Sequence, residues 1–92
     1  MKHTKQEILE KAIQTWGKQA QVLMVLEEMA ELQKEILKNI NREKNNISEL
    51  VDEVTDVEIM LTQLKMIYGI ENAVETHLPE KLEKIEKRLI WE

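Results

Sequence analysis

The sequence predicts an all-α protein: a single-domain, antiparallel bundle of four to five helices that assembles into an oligomer. Three observations predict it. Apolar residues recur at helical spacing almost throughout. Two Gly and one Pro in 92 residues leave little turn chemistry, and no strand alternation survives. Apolar residues make up 42% of the chain, yet Phe is absent and aromatics are only 3%, so the core must be built from Leu, Ile, Val, Met and Ala. A core in so small a domain supplies roughly 3–5 kcal/mol. With no Cys, neither a disulfide nor the usual Cys-containing zinc site can staple it. Self-association is the staple that remains.

The elements follow in order. Thr4 and Glu7 have the form of a capping box, opening a first helix through Ile8, Leu9, Ala12 and Ile13. Gly17, after Trp16, marks a break. A long second helix carries Ala20, Leu23, Leu26, Met29, Ala30, Gln33, Ile36, Leu37 and Ile40. The polar, Asn-rich stretch from Asn39 to Asn46 reads as the loop. Asn46 or Ser48 can cap the third helix; if Asn46 does, Glu49 falls at the capping-box position. The expected core stripe of that helix is Leu50, Val54, Val57, Leu61, Leu64 and Tyr68, with Gly69 placed to end it. Asn72 opens a short helical turn. Pro79 then starts a last helix, with Leu82, Ile85, Leu89 and Ile90 inward and Lys81, Glu83, Lys84, Glu86 and Lys87 outward. No repeat or linker divides the chain, so residues 1–92 form one domain.

Two acid clusters carry the chemistry. Glu27-Glu28-Met29-Ala30-Glu31 lies in the second helix and Glu53-Val54-Thr55-Asp56 in the third. Glu28 with Glu31, and Glu53 with Asp56, sit three residues apart and project from one face of their helices. Each pair continues a line of buriable residues: Met24, Glu28, Glu31 and Glu35 on one helix, Glu53, Asp56, Met60, Leu64 and Ile67 on the other. Acids in such places are unfavourable unless paired or metal-bound. The chain has sixteen Glu and only two Asp, Asp52 and Asp56, both in the third-helix cluster. Asp is the poorer helix former, so an interior Asp points to a need for its shorter reach. An antiparallel hairpin brings the clusters to about the same height, because each lies a similar distance from the loop. Hard carboxylate oxygens in that number suit Mg²⁺, with Mn²⁺ as the alternative. The bland reading is a solvated acidic surface, which a Glu-rich chain readily produces.

Charged residues are 34% of the chain and its formal net charge is −5. No basic stripe is present, which argues against a nucleic-acid polymer as partner. No window approaches a membrane span, and the opening residues lack the apolar run of a signal peptide, so a cytoplasmic location is expected. His3 and His77 complete no Glu-x-x-His motif, which disfavours a di-iron site. No Gly-rich phosphate loop or nucleophile elbow appears. Trp16 either pins the first helix to the second or offers a stacking surface to a nucleobase. Lys34, Lys38 and Arg42 either meet phosphate or pair with neighbouring Glu.

With these residues in hand, the chain resembles the MazG-like all-α nucleoside triphosphate pyrophosphohydrolases. The pattern of that family is Glu-Glu-x-x-Glu on one helix, a spacer, then Glu-x-x-Asp on the next. Glu27-Glu28-Met29-Ala30-Glu31 and Glu53-Val54-Thr55-Asp56 match it, as do the surrounding words from Thr15 to Gln21 and from Asp56 to Leu61. The resemblance covers roughly residues 8 to 90 and is nearest to small phage-type and firmicute members. It departs at Asp52-Glu53, where Glu-Glu is commoner. It implies Mg²⁺-dependent hydrolysis of a (deoxy)nucleoside triphosphate to monophosphate and pyrophosphate, a house-cleaning of the nucleotide pool. It implies Glu28, Glu31, Glu53 and Asp56 as metal ligands. Glu27 and Glu31 are then the candidate catalytic acids, and the segment from Trp16 to Gln21, Gln19 included, with Lys34 and Lys38, supplies the candidate substrate contacts. Trp91 of a neighbouring copy is a further candidate against the base. Members of the family are homodimers or homotetramers. The competing readings are a non-catalytic helical oligomerisation or regulatory module, and a hydrolase of a phosphoribosyl-nucleotide pyrophosphate.

Overall fold

The computed structural model describes residues 2–42 and 45–91. Among them the chain forms four helices and no strand: α1 (Lys5–Trp16), α2 (Lys18–Arg42), α3 (Ile47–Tyr68) and α4 (Glu71–Arg88). The capping box at the start of α1 is present. Thr4 Oγ1 accepts from the Glu7 N–H at 3.1 Å, and Glu7 Oε1 accepts from the Thr4 N–H at 3.0 Å. Hydrogen bonding from the Thr4 backbone N–H, and then from the Thr4 hydroxyl, holds the Glu7 carboxyl below its ordinary pKa. Gly17 ends α1 at φ +90°, a conformation L side chains rarely adopt, and α2 begins at the next residue.

Helices α2 and α3 form the antiparallel hairpin, the most extensively packed pair in the fold. Its closed end differs from expectation. The Asn-rich stretch is helical through Arg42, so the connection is shorter than the sequence indicates; Glu43 and Lys44 of the expected loop lie outside the described residues. Asn46 supplies the reason. It occupies the N-cap position of α3 but makes no cap bond. Instead its side chain, 1% exposed, reaches across to α2. Its Nδ2 donates to the Glu35 carbonyl at 2.9 Å, and its Oδ1 accepts from Asn39 Nδ2 at 3.0 Å. Two side-chain bonds hold the last turns of α2, which Asn propensity alone disfavours.

The packed face of α3 also departs from the expected one. Of the stripe Leu50, Val54, Val57, Leu61, Leu64 and Tyr68, only Val57 is buried; Tyr68 is 60% exposed. The face turned to α2 carries Glu53, Asp56, Val57, Met60, Gln63 and Leu64 instead. The same holds on α2, where Val25 and Gln21 are buried while Leu23, Leu26, Met29, Ile36, Leu37 and Ile40 stay exposed. Both helices are apolar on two faces, and spacing identifies an apolar face without saying which neighbour covers it. Helix α1 lies along one side of the hairpin, where Leu9 is buried and lines one cleft with Met60.

Gly69 ends α3 in the left-handed region at φ +64°. Its N–H donates to the Met66 carbonyl and the Ile70 N–H to the Lys65 carbonyl, the paired bonds of a Schellman end. The last helix is continuous from Glu71, with Pro79 inside it rather than at its start. Lacking an N–H, Pro79 leaves the Glu75 carbonyl without a helical donor. Every residue of α4 is exposed, so water serves that carbonyl and the helix persists. Among the described helices it packs only against α3. The radius of gyration is accordingly 16.6 Å, against about 12 Å for a compact chain of this length.

Candidate metal centre

The hairpin register sets the site. Gln21 with Gln63, Met24 with Met60, and Glu28 with Asp56 line one cleft, as an antiparallel pairing requires. At the acid level, one carboxylate oxygen from each of Glu28, Glu53 and Asp56 lies within 4.8 Å of the other two. All three side chains are half-buried in the groove between α2 and α3. Within this group Glu53 Oε2 is shielded from solvent and has no hydrogen-bond partner. A carboxylate oxygen withdrawn from water and given no donor is unfavourable, and a cation relieves it.

The electrostatics say the same. Partial burial, then the charges of Asp56 and Glu31, a hydrogen bond shared with Asp56, and the charge of Glu27 push the Glu28 carboxyl above its ordinary pKa. Glu53 is pushed up by burial first, then by Glu28, Asp56, Glu31 and Asp52. Six acids, Glu27, Glu28, Glu31, Asp52, Glu53 and Asp56, therefore share one negative field, with no Lys or Arg among the groups that shift Glu28 or Glu53. In an octahedral shell with bonds of about 2.1 Å, opposite oxygens stand about 4.2 Å apart. The three oxygens lie within 4.8 Å of one another, close enough for a donor set of this kind to suit a hard divalent cation.

The remaining candidates fall in three places. Glu31 and Glu27 are exposed on α2 beside the triad; neither joins the three converging oxygens, though both act on Glu28 through their charge. Trp16, 64% exposed, stands at the rim of a cleft of about 330 Å³ that runs from α1 to Glu28 and Asp56. Gln19 is exposed in the first turn of α2 and does not line that cleft. Lys34 and Lys38 line a separate shallow groove along α2 with Gln33, Leu37 and Asn41. Lys38 is turned to Glu35, at 3.5 Å. The Arg42 side chain lies outside the described residues. His77 is inside α4, 2.9 Å from Glu80, and Trp91 donates to the Glu86 carbonyl at 3.3 Å.

Of the two buried amides in the cleft, Gln21 closes the segment expected to meet the base, and Gln63 escaped the sequence reading. Gln21 is 5% exposed and Gln63 only 1%. Gln63 Nε2 makes one long bond, 3.4 Å, to the Leu9 carbonyl. The signal was present: Gln63 continues the line Asp56, Met60 at helical spacing, a polar residue on a face otherwise apolar toward the C-terminus.

Compared with models of protein families, with curated proteins and with solved structures, the chain matches none. What the fold and site define is a class: an all-helical protein whose central hairpin holds an acidic triad able to bind a metal ion. None of its described helices is long and apolar enough to cross a membrane.

Proposed function

We propose that the chain is a metal-dependent nucleotide pyrophosphohydrolase of the MazG-like kind, cleaving the α–β anhydride of a (deoxy)nucleoside triphosphate to give monophosphate and pyrophosphate. The observation that carries the reading is the Glu28, Glu53, Asp56 triad opening into a cleft lined by buried amides and an exposed indole. An acidic chain repels a triphosphate unless a cation stands between them, and the triad fits one. Bound there, Mg²⁺ would offset the phosphate charge and make an attached water more acidic.

The chain's own residues supply the rest. Glu28, Glu53 and Asp56 hold the cation. Glu31 or Glu27, beside the triad and free of the three converging oxygens, takes the proton of the attacking water. The leaving group departs as pyrophosphate, and the proton returns to solvent from that carboxylate. Trp16 offers its ring face to a base, while Gln21 and Gln63 present amides to a base edge. Apolar Met24, Ile59 and Met60 keep that end of the cleft dry. Lys34 and Lys38 stand outside the cleft in this fold, which makes them the weaker substrate contacts. The working species is a homodimer or homotetramer.

The test is pyrophosphate release from a panel of canonical and modified NTPs and dNTPs, and from phosphoribosyl-nucleotide pyrophosphates, with Mg²⁺, Mn²⁺ or EDTA. Metal-dependent release with an equal yield of monophosphate, reduced by at least about a hundredfold in Glu53→Gln, is expected. No release from a folded protein that also ignores Mg²⁺ in thermal melts would leave a non-catalytic helical module as the better account.

A further inference from the structure

Resting on the nucleotide reading above, we propose that Gln63 selects the base. It takes cytosine or adenine, whose exocyclic amine stands on the side away from the sugar, over uracil or hypoxanthine, which carry a carbonyl there. Gln63 is 1% exposed, and its Nε2 donates to the Leu9 carbonyl at 3.4 Å. A main-chain carbonyl only accepts, so the nitrogen of this amide, and not its oxygen, must face α1. Helix α1 thereby fixes which end of Gln63 is left over. It is the oxygen, and among the described residues nothing donates to it.

Gln21 lines the same cleft from α2 and is 5% exposed. Among the described residues its side chain has no hydrogen-bond partner. Neither amide is sealed off. Among the described residues, the side-chain polar atoms that are shielded from solvent and partnerless belong to Glu35 and Glu53 alone. The open groups of Gln21 and Gln63 are therefore reached through the cleft, and a buried amide left unanswered is unfavourable. The two differ in freedom. Gln63 is anchored as an acceptor, whereas Gln21 can turn either end of its amide to a ligand.

The register sets what Gln63 meets. Asp56 and Gln63 are seven residues apart on α3, two turns and about 10 Å along one face. A nucleotide whose phosphates meet a cation at the acids runs past Met60 and brings its base to the level of the amides. The tip of the base is then N4 of cytosine or N6 of adenine, against O4 of uracil or O6 of hypoxanthine. An amine there donates to Gln63 Oε1. A carbonyl sets two acceptors together with no proton between them. The ring nitrogen beside the tip accepts in the amino bases and donates in the keto bases, and Gln21 turns to answer either. Discrimination therefore falls to Gln63.

The test compares bases that differ in that one group. Pyrophosphate release with Mg²⁺ is followed for CTP against UTP and for ATP against ITP, in both sugar forms. Binding of CMP, UMP, AMP and IMP with Mg²⁺ is followed by calorimetry, which needs no turnover. The amino member should be favoured by about tenfold to a hundredfold in kcat/KM and in affinity. Whether the cytosine or the adenine pair responds tells whether the cleft takes one ring or two. Gln63→Met should bring the ratio close to one, while Gln21→Met should weaken both members of a pair together. Should Gln63→Met lose its helical signal, the monophosphate of 2-pyrimidinone riboside, with neither group at the tip, makes the comparison on the unaltered chain. It should fall between CMP and UMP, and binding as tight as CMP would overturn the proposal. Release without preference would overturn the role of Gln63 and leave the hydrolase reading standing. Preferential binding of CMP or AMP without release from any triphosphate would do the reverse. A preference that survives Gln63→Met, or a folded chain that binds no monophosphate, would also overturn it.

Discussion

Replacing Glu53 with Gln should have two effects of opposite sign, and together they test the acidic triad. Glu53 and Glu28 have folded pKa values above their unfolded ones, through burial and then neighbouring negative charge. Over the pH window between those values the native state holds more protons than the unfolded chain, so stability falls as pH rises through it. The metal-free protein should therefore melt higher at about pH 5 than at about pH 7.5. Glu7 works the other way: its lowered pKa contributes stability that is lost on further acidification. A cation does at neutral pH what protons do at acid pH. At ten times its dissociation constant, Mg²⁺ adds about 1.4 kcal/mol. With roughly 4–8 °C per kcal/mol for a domain of this size, that is a rise of about 6–11 °C. Glu53→Gln should raise the melting temperature without metal and remove most of the Mg²⁺ response. The assay is thermal unfolding by far-UV circular dichroism at fixed protein concentration and matched ionic strength, since salt alone screens the cluster. Lower stability of Glu53→Gln in EDTA at neutral pH, with a wild type that Mg²⁺ leaves unmoved, would refute the reasoning.

Two further outcomes follow from features outside the acids. Asn46→Ala removes the bonds to the Glu35 carbonyl and from Asn39; at about 1 kcal/mol each it should cost about 2 kcal/mol in urea unfolding. A loss below about 0.5 kcal/mol would mean that the two bonds do not hold the hairpin end. Pro79→Ala returns a donor to the Glu75 carbonyl and should slow amide exchange across α4, with a gain of up to about 3 kcal/mol in that helix; unchanged exchange would mean that α4 has another source of rigidity.

The helices were legible in the sequence because their punctuation is local. Thr4, Gly17 and Gly69 act through bonds to residues three or four positions away, so a short window contains the whole cause. The convergence of Glu28, Glu53 and Asp56 was legible for a related reason: spacing gives the face, and equal distance from the loop gives the height. What the sequence hid depends on distant partners. Asn46 looks like a cap and serves as a cross-helix tie, because Glu35 and Asn39 compete successfully for its amide. Pro79 looks like a start, and only the complete exposure of α4 lets it sit inside. Gln63 looks like an ordinary helix residue until α1 closes over it. The choice between two apolar faces on α3 is likewise invisible to periodicity, since both faces have the same period.

The Asn46 tie has a consequence for how this hairpin can change over generations. It fixes the height of α3 against α2 from within the helices, without drawing on the residues between Arg42 and Asn46. Insertions at that tip lengthen a loop whose closure entropy grows only logarithmically, and they leave the acids facing one another. A single residue added between Glu28 and Glu35 turns the rest of α2 by about 100° and parts the tie from the acids it aligns. The tip is thus open ground for acquired loops, tags or recognition segments, whereas the span from the acids to the tie has a fixed length.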